Sequence, residues 1–258
     1  MSMLRTLLLA GSVLALPWTA SAQADLEVRV RDELGLSTAQ REALLQRLRP
    51  WSRRVYAYLG DPRPQPVNLI LTQRIRIGYY ASPNLYLPPA DDGEMLETWI
   101  HELAHHVTGH QSNFLFKEGI ATHVLEALLV ETGRVPQGFP QYGQSNDAWV
   151  ALFDRSGTLP TLDDLMPLQR YDGRTPQSDF RSWQVYVIGA SFVGWLIRNQ
   201  GLQTFHDVFG AESLGPRGAD WERRWRADIR AANHPPFDPM RHLPDRTRYR
   251  RYAARLGF

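Results

Sequence analysis

The chain has 258 residues, 43% apolar and 22% charged, with a formal net charge of +2. Those are ordinary globular values, so the composition excludes a disordered or low-complexity chain and gives no uniformly basic surface for a nucleic acid. There is no cysteine, so the fold relies on no disulfide and carries no thiol-linked lipid.

From the start of the chain, Arg5 supplies a positive flank, Leu7 to Leu16 an apolar core, and Ala20-Ser21-Ala22 a small-residue cleavage site. Residues 1–22 therefore read as a signal peptide cut after Ala22, with Ala24 as the alternative site. The run is too short, and too interrupted by Pro17, for a spanning helix. The expectation is a periplasmic or secreted protein with no stable membrane insertion once the signal is removed. What remains, residues 23–258, suits a single domain with a sizeable core.

Ser37 to about Gly60 has a helical pattern, with Leu44, Leu45, Leu48, Val55 and Leu59 as buried candidates and Pro50 as a kink or break. Asp61 to Pro66 is a proline-stiffened connector. Val67–Thr72, Ile75–Tyr80 and Leu85–Leu87 read as strands bounded by turn signals.

The next helix carries the chemistry. Asp91 and Asp92 can cap its start, and Gly109 suits its end. Leu96, Trp99 or Ile100, Leu103 and Val107 form the apolar stripe, which leaves His101 and His105 on another face. Residues four apart on a helix stand one turn above each other, so both imidazoles can aim at one point. His101-Glu102-Leu103-Ala104-His105 is the H-E-x-x-H pattern, in which two histidines bind Zn²⁺ and the glutamate acts as general base. A catalytic zinc takes three protein ligands and one open position, so a third ligand must come from elsewhere. One known pattern places a histidine six residues after the second, but that position is Gln111, with Gly109 and His110 each one out of register. The remaining candidate is Glu118, at the start of a further helical pattern with Leu115, Ile120, Val124, Leu125 and Leu128 on its apolar side.

H-E-x-x-H followed closely by Glu118-Gly119-Ile120-Ala121 resembles the gluzincin zinc metallopeptidases, specifically the small bacterial peptidase MA-like group. The resemblance implies that Glu118 is the third zinc ligand. It implies an α+β fold, a mostly helical zincin-like domain with a small N-terminal sheet ahead of the H-E-x-x-H helix. It also implies an edge strand near the metal that can pair with an extended peptide, for which Leu85–Leu87 is the candidate, a buried hairpin being the alternative. The run from Tyr186 through Gly189 to Val193 is similar to the helix after the metal site in that group. By that likeness Tyr186 donates its hydroxyl to the oxyanion of the tetrahedral intermediate; the alternative is a packed core tyrosine.

Residues 134–180 are rich in Gly, Pro, Gln, Ser and Asp, with helix candidates at Asp147–Phe153 and Leu162–Gln169. Ser182 to Asn199 is a mostly apolar helix in which Gly189, Ala190 and Gly194 suit close backbone packing. Asp220–Ala232 is a last helix with Trp221 and Trp225 on one face. Residues 217–258 form a C-terminal helix and basic tail with 11 Arg against 5 acids, opposite in sign to the acidic body it can pack over. His106, His110 and His123 read as structural or supporting residues, and Thr122 as a support for a ligand.

The sequence thus reads as an exported zinc metallopeptidase. One Zn²⁺ sits on His101, His105 and Glu118, with Glu102 and Tyr186 as catalytic groups, a peptide or protein substrate and no nucleic-acid partner. Two other classes remain open: a zinc-stabilised envelope binding or assembly factor, and a hydrolase of a non-peptide or cell-wall amide. An intact Glu102 argues against the former, because only catalysis requires that carboxylate.

Overall fold

The computed structural model describes residues 26–61, 64–109, 113–168, 170–171, 174–244 and 246–258. The expected signal peptide and His110 lie outside these residues. The fold is α+β and mostly helical, with one four-stranded sheet near the N-terminus. The sheet holds β1 (Val28–Asp32), β2 (Val67–Leu71), β3 (Tyr79–Ala81) and β4 (Asn84–Leu87) in the order β1-β2-β4-β3. β1 pairs in parallel with β2, and β2 with β4, while β3 closes the sheet antiparallel to β4. Parallel neighbours need a long crossover. Between β1 and β2 that crossover is α1 (Thr38–Tyr58), started by a reciprocal capping box between Ser37 and Gln40.

Three expectations are corrected here. Of the kink or break expected at Pro50, the break is absent, and α1 runs from Thr38 to Tyr58 through it. The buried Leu44, Leu45, Leu48, Val55 and Tyr56 anchor the helix on both sides of the lost backbone donor. The run Ile75–Tyr80 is strand only from Tyr79, and Ile77 is 80% exposed. Leu85–Leu87 is not an edge but the inner strand of a buried hairpin, the alternative reading: β4 pairs antiparallel with β3 on one side and parallel with β2 on the other, and Leu85 and Leu87 are fully buried. The free edge beside the metal helix is β3. Gly78, just before it, lies so close to that helix that a Cβ there would stand 2.3 Å from Thr98 Cγ2 and 3.0 Å from the Tyr86 carbonyl. From the middle of β3, the Tyr80 hydroxyl reaches His106 Nδ1 at 3.1 Å.

The helical layer is built on α2 (Asp92–Thr108), α3 (Phe114–Val130) and α6 (Pro176–Gln200). The Asp91 carboxylate caps α2 by accepting from the Glu94 amide at 2.9 Å, and Gly109, at φ +76°, ends it. Asn113 caps α3 through the Phe116 amide. α3 and α6 meet backbone to backbone at one glycine from each. A Cβ on Gly119 would stand 2.6 Å from the Gly189 carbonyl carbon, and one on Gly189 would stand 2.5 Å from the Leu115 carbonyl oxygen. The pair of glycines fixes how near Glu118 on one helix comes to Tyr186 on the other.

The rest of the chain wraps this layer. α4 (Asn146–Arg155), the short α5 (Leu162–Leu165) and α7 (Leu202–Val208) lead to α8 (Gly215–Ala231) and α9 (Thr247–Arg255). Buried indoles pin these pieces through their N–H groups: Trp99 donates to Ser52, Trp183 to the Pro140 carbonyl, and Trp225 to Ser191. The basic tail is partly helical. Tyr252 on α9 stacks on Trp183 at 5.0 Å, and Arg248 pairs with Asp179 at 3.3 Å, so it packs on the body as charge complementarity suggests. Among the described residues no helix is long and apolar enough to cross a membrane.

Candidate metal centre

His101, Glu102 and His105 lie in successive turns of α2, with Glu102 and His105 buried and His101 half-buried. The imidazole rings stand edge to face, 4.8 Å apart. Across from them, Glu118 in the first turns of α3 is buried, and its Oε2 lies 3.3 Å from His101 Nε2 and 3.3 Å from His105 Nε2. Among the described residues this is the one group of three or more potential ligands, its donor atoms all within 4.8 Å of one another.

That geometry can be tested against a metal. Zinc–donor bonds of about 2.0–2.2 Å in a tetrahedron place donor atoms about 3.3–3.5 Å apart. The two imidazole-to-carboxylate distances match this spacing, and both are long for charge-assisted hydrogen bonds, which run at about 2.7–2.9 Å. Two nitrogens and one oxygen are also the ligand types that zinc accepts in hydrolytic sites. The donor set fits Zn²⁺.

The electrostatics favour a cation. Burial pushes the His101 pKa down, but its hydrogen bond to Glu118 and the charges of Glu102 and Glu118 outweigh that and raise it. Burial would raise the pKa of Glu118, yet His105 and His101 hold it far below the usual carboxylate range. Lys117 Nζ stands 3.8 Å from the other Glu118 oxygen, Oε1.

Tyr186, on α6, is half-buried beside this cluster. Its ring lies nearly parallel to that of His101, at 6.3 Å and 26°. Desolvation, then the charges of Glu118 and Glu102, push its pKa well above the ordinary tyrosine value, so the hydroxyl keeps its proton. Phe114 and Phe139 pack edge-on against the same ring, at 5.7 and 4.9 Å.

His106 and His123 have partners of their own. His106 binds the Tyr80 hydroxyl and the Gln65 carbonyl. His123 faces away, with Nε2 2.7 Å from the Tyr58 hydroxyl and its ring against Gly194. The buried Thr122 hydroxyl meets no hydrogen-bond partner among the described residues. One residue of the region escaped sequence reasoning. Glu97, one turn before His101, is buried and accepts from the Gln137 and Gly138 amides. Its i, i+4 relation to His101 was the available signal.

No protein-family model matches this chain, and no curated protein matches it. Among solved structures it is similar to an M1 zinc metallopeptidase from Deinococcus radiodurans, at 17% identity and a TM-score of 0.49. A point mutant of that enzyme gives 16% and 0.50, and a two-domain M1 zinc metallopeptidase mutant bound to L-arginine gives 18% and 0.49. Each likeness covers 83% of this chain and 52% of the other, so the chain spans about half the length of these structures. At such identity the likeness is one of fold.

Proposed function

We propose that this chain is a zinc-dependent peptidase in which His101, His105 and Glu118 hold one Zn²⁺. The observation that carries the reading is the convergence of two imidazole nitrogens on a single Glu118 oxygen, 3.3 Å from each, with Glu102 on the same helix between them. The bound ion supplies Lewis acidity, which polarises a carbonyl and makes a water acidic near neutral pH. The rest is the work of the chain's own groups. In this reading Glu102 takes a proton from the attacking water and passes it to the leaving amine. Tyr186, kept protonated by its surroundings, is placed to donate a hydrogen bond to the oxyanion that develops on the carbonyl. An extended peptide can reach these groups by lying along β3, whose outer edge is unpaired within the sheet and runs beside α2.

An intact Glu102 supports hydrolysis over a purely structural metal, since a binding scaffold has no use for that carboxylate. We also propose that residues 1–22 direct export and that the mature chain begins near Gln23; N-terminal sequencing of the exported protein reads this directly. The function is tested by measuring metal content together with cleavage of a broad peptide library. The expected result is one zinc per chain and cleavage lost to a chelator and restored by zinc. A protein that binds zinc and cleaves no peptide would move the assignment to a non-peptide amide or to binding alone.

A further inference from the structure

The loop from Gln137 to Tyr142 is held far more firmly than its position requires. Glu97 accepts the Gln137 amide on one carboxylate oxygen and the Gly138 amide on the other, each at 3.0 Å. A Cβ on Gly138 would stand 3.2 Å from that carboxylate, so glycine lets the backbone come in close. Farther along, the Pro140 carbonyl accepts from the Trp183 indole at 3.0 Å and the Gln141 carbonyl from the Trp149 indole at 2.6 Å. Tyr142 sits at φ +48°, a conformation that costs a non-glycine residue energy and persists only where the surroundings over-determine it. Helices α2, α4 and α6 all hold this loop.

In the middle of that fixed backbone, Phe139 is left 38% exposed. Burying a phenylalanine is worth roughly 1.5–3 kcal/mol, so a loop pinned with its one phenylalanine outward forgoes stability that packing could provide. Its ring meets Tyr186 edge-on at 4.9 Å, and Tyr186 lies against His101. Phe139 thus continues a row of rings that begins at the metal donors. An extended peptide advances about 3.4 Å per residue, so the two ring contacts from His101 to Phe139 span at most about three residues of a bound substrate. A side chain presented without freedom to move loses little entropy when it binds.

We propose that Phe139 is the wall of a substrate subsite that takes a large apolar side chain, and that Glu97 is the positioning residue that holds it there. This rests on the peptidase reading for its substrate, but the residues can be tested without turnover. The probes are three hydroxamates, which chelate zinc, differing only in one substituent: benzyl, hydrogen or aminobutyl. Binding to the zinc-loaded protein is measured by calorimetry. One well-fitted apolar group discriminates by roughly 10- to 200-fold. The benzyl compound should therefore bind at least about 10-fold tighter than the other two. Phe139→Ala should bring it to within about 2-fold of the hydrogen compound, whose own affinity stays unchanged, and Phe139→Leu should restore part of the preference. Glu97→Gln should weaken only the benzyl compound, at unchanged zinc content. No benzyl preference in the native protein, a preference that survives Phe139→Ala, or a tighter aminobutyl compound would each overturn the proposal. A protein that prefers benzyl and cleaves nothing refutes the peptidase reading and leaves the subsite in place. One that takes up no zinc ends both.

Discussion

Helix α3 carries a buried histidine and two glutamates, and the two ends of the helix use them in opposite ways. At its N-terminal end Glu118 faces two imidazoles on α2, and three donors converge on one point at metal spacing. Farther along, the titratable groups His123 and Glu126 each have a dedicated partner. His123 meets the Tyr58 hydroxyl at 2.7 Å, and Glu126 accepts both the backbone amide and the side-chain amide of Asn146. Burial acts on both ends, but its outcome depends on neighbours. His123 and Glu126 are driven toward neutrality: burial, then Arg198, lowers the first to about 3, and burial, then Asp147, raises the second to about 7. Glu118 is driven toward charge. A buried histidine or glutamate is not evidence of a metal site. Convergence of three donors at metal spacing is.

The largest effect separates chemistry from metal binding. Glu102→Gln keeps size and leaves both imidazoles in place, so zinc content should be unchanged while kcat falls by about 10²–10⁴-fold or more, the scale of a lost general base. Full turnover in that variant would remove Glu102 from the mechanism, and loss of zinc would make it structural. Next in size, Tyr186→Phe removes one hydroxyl beside the cluster. Its kcat should drop by about 10²-fold, near the lower end for an oxyanion donor, with zinc affinity unaffected. An unchanged kcat would return Tyr186 to a packing role.

Much of the first end of α3 was legible in sequence, and the reason is locality. His101, Glu102 and His105 share one helix whose caps, Asp91 and Gly109, and whose apolar stripe are adjacent in the chain. Glu118 required more, because its place opposite the histidines depends on how two helices pack, and the E-G-x-A resemblance supplied that. Gly119 in that motif has a physical reason here, the contact with Gly189. What stayed hidden was set at a distance. β1 shows its alternation in Val28-Arg29-Val30, but only pairing with β2, some 40 residues on, makes it a strand. Whether Leu85–Leu87 is an edge or the inner strand of a hairpin depends on strand order, which is not written locally. Glu97 was passed over because the amides that it binds lie about forty residues later.

The glycine contact gives a smaller effect that tests how the two ends of α3 are held. Gly189→Ala places a methyl group 2.5 Å from the Leu115 carbonyl oxygen and must push α6 away from α3. Overpacking of this kind costs about 1–3 kcal/mol, read as a lower denaturant midpoint. It should also lower kcat more than it lowers zinc affinity, since Tyr186 rides on α6 and all three ligands lie on α2 and α3. Equal loss of both would mean that the crossing sets the metal site itself.

The smallest effect concerns the far end. Burial holds the folded His123 pKa down at about 3, against an ordinary value of about 6.5, so the native state favours the neutral ring. Its contribution is fully present above about pH 6.5 and is lost as pH falls from there toward 3, because the unfolded chain then binds the extra proton. Relative to the native protein, His123→Gln should therefore lose stability less steeply across that window, by about 1 kcal/mol per pH unit. Parallel pH profiles for the two proteins would show that His123 is protonated at no such cost.

One measurement addresses the contrast directly: equilibrium zinc titration of Glu118→Gln beside Glu126→Gln, two identical substitutions eight residues apart on one helix. Both keep the side chain's shape and remove its charge. The native protein and Glu126→Gln should bind one zinc with affinities within a few-fold of each other. Glu118→Gln should bind at least about 10–100-fold more weakly, the loss already seen when only a ligand's supporting contact is removed. Undiminished zinc affinity in Glu118→Gln would contradict the assignment of this metal centre.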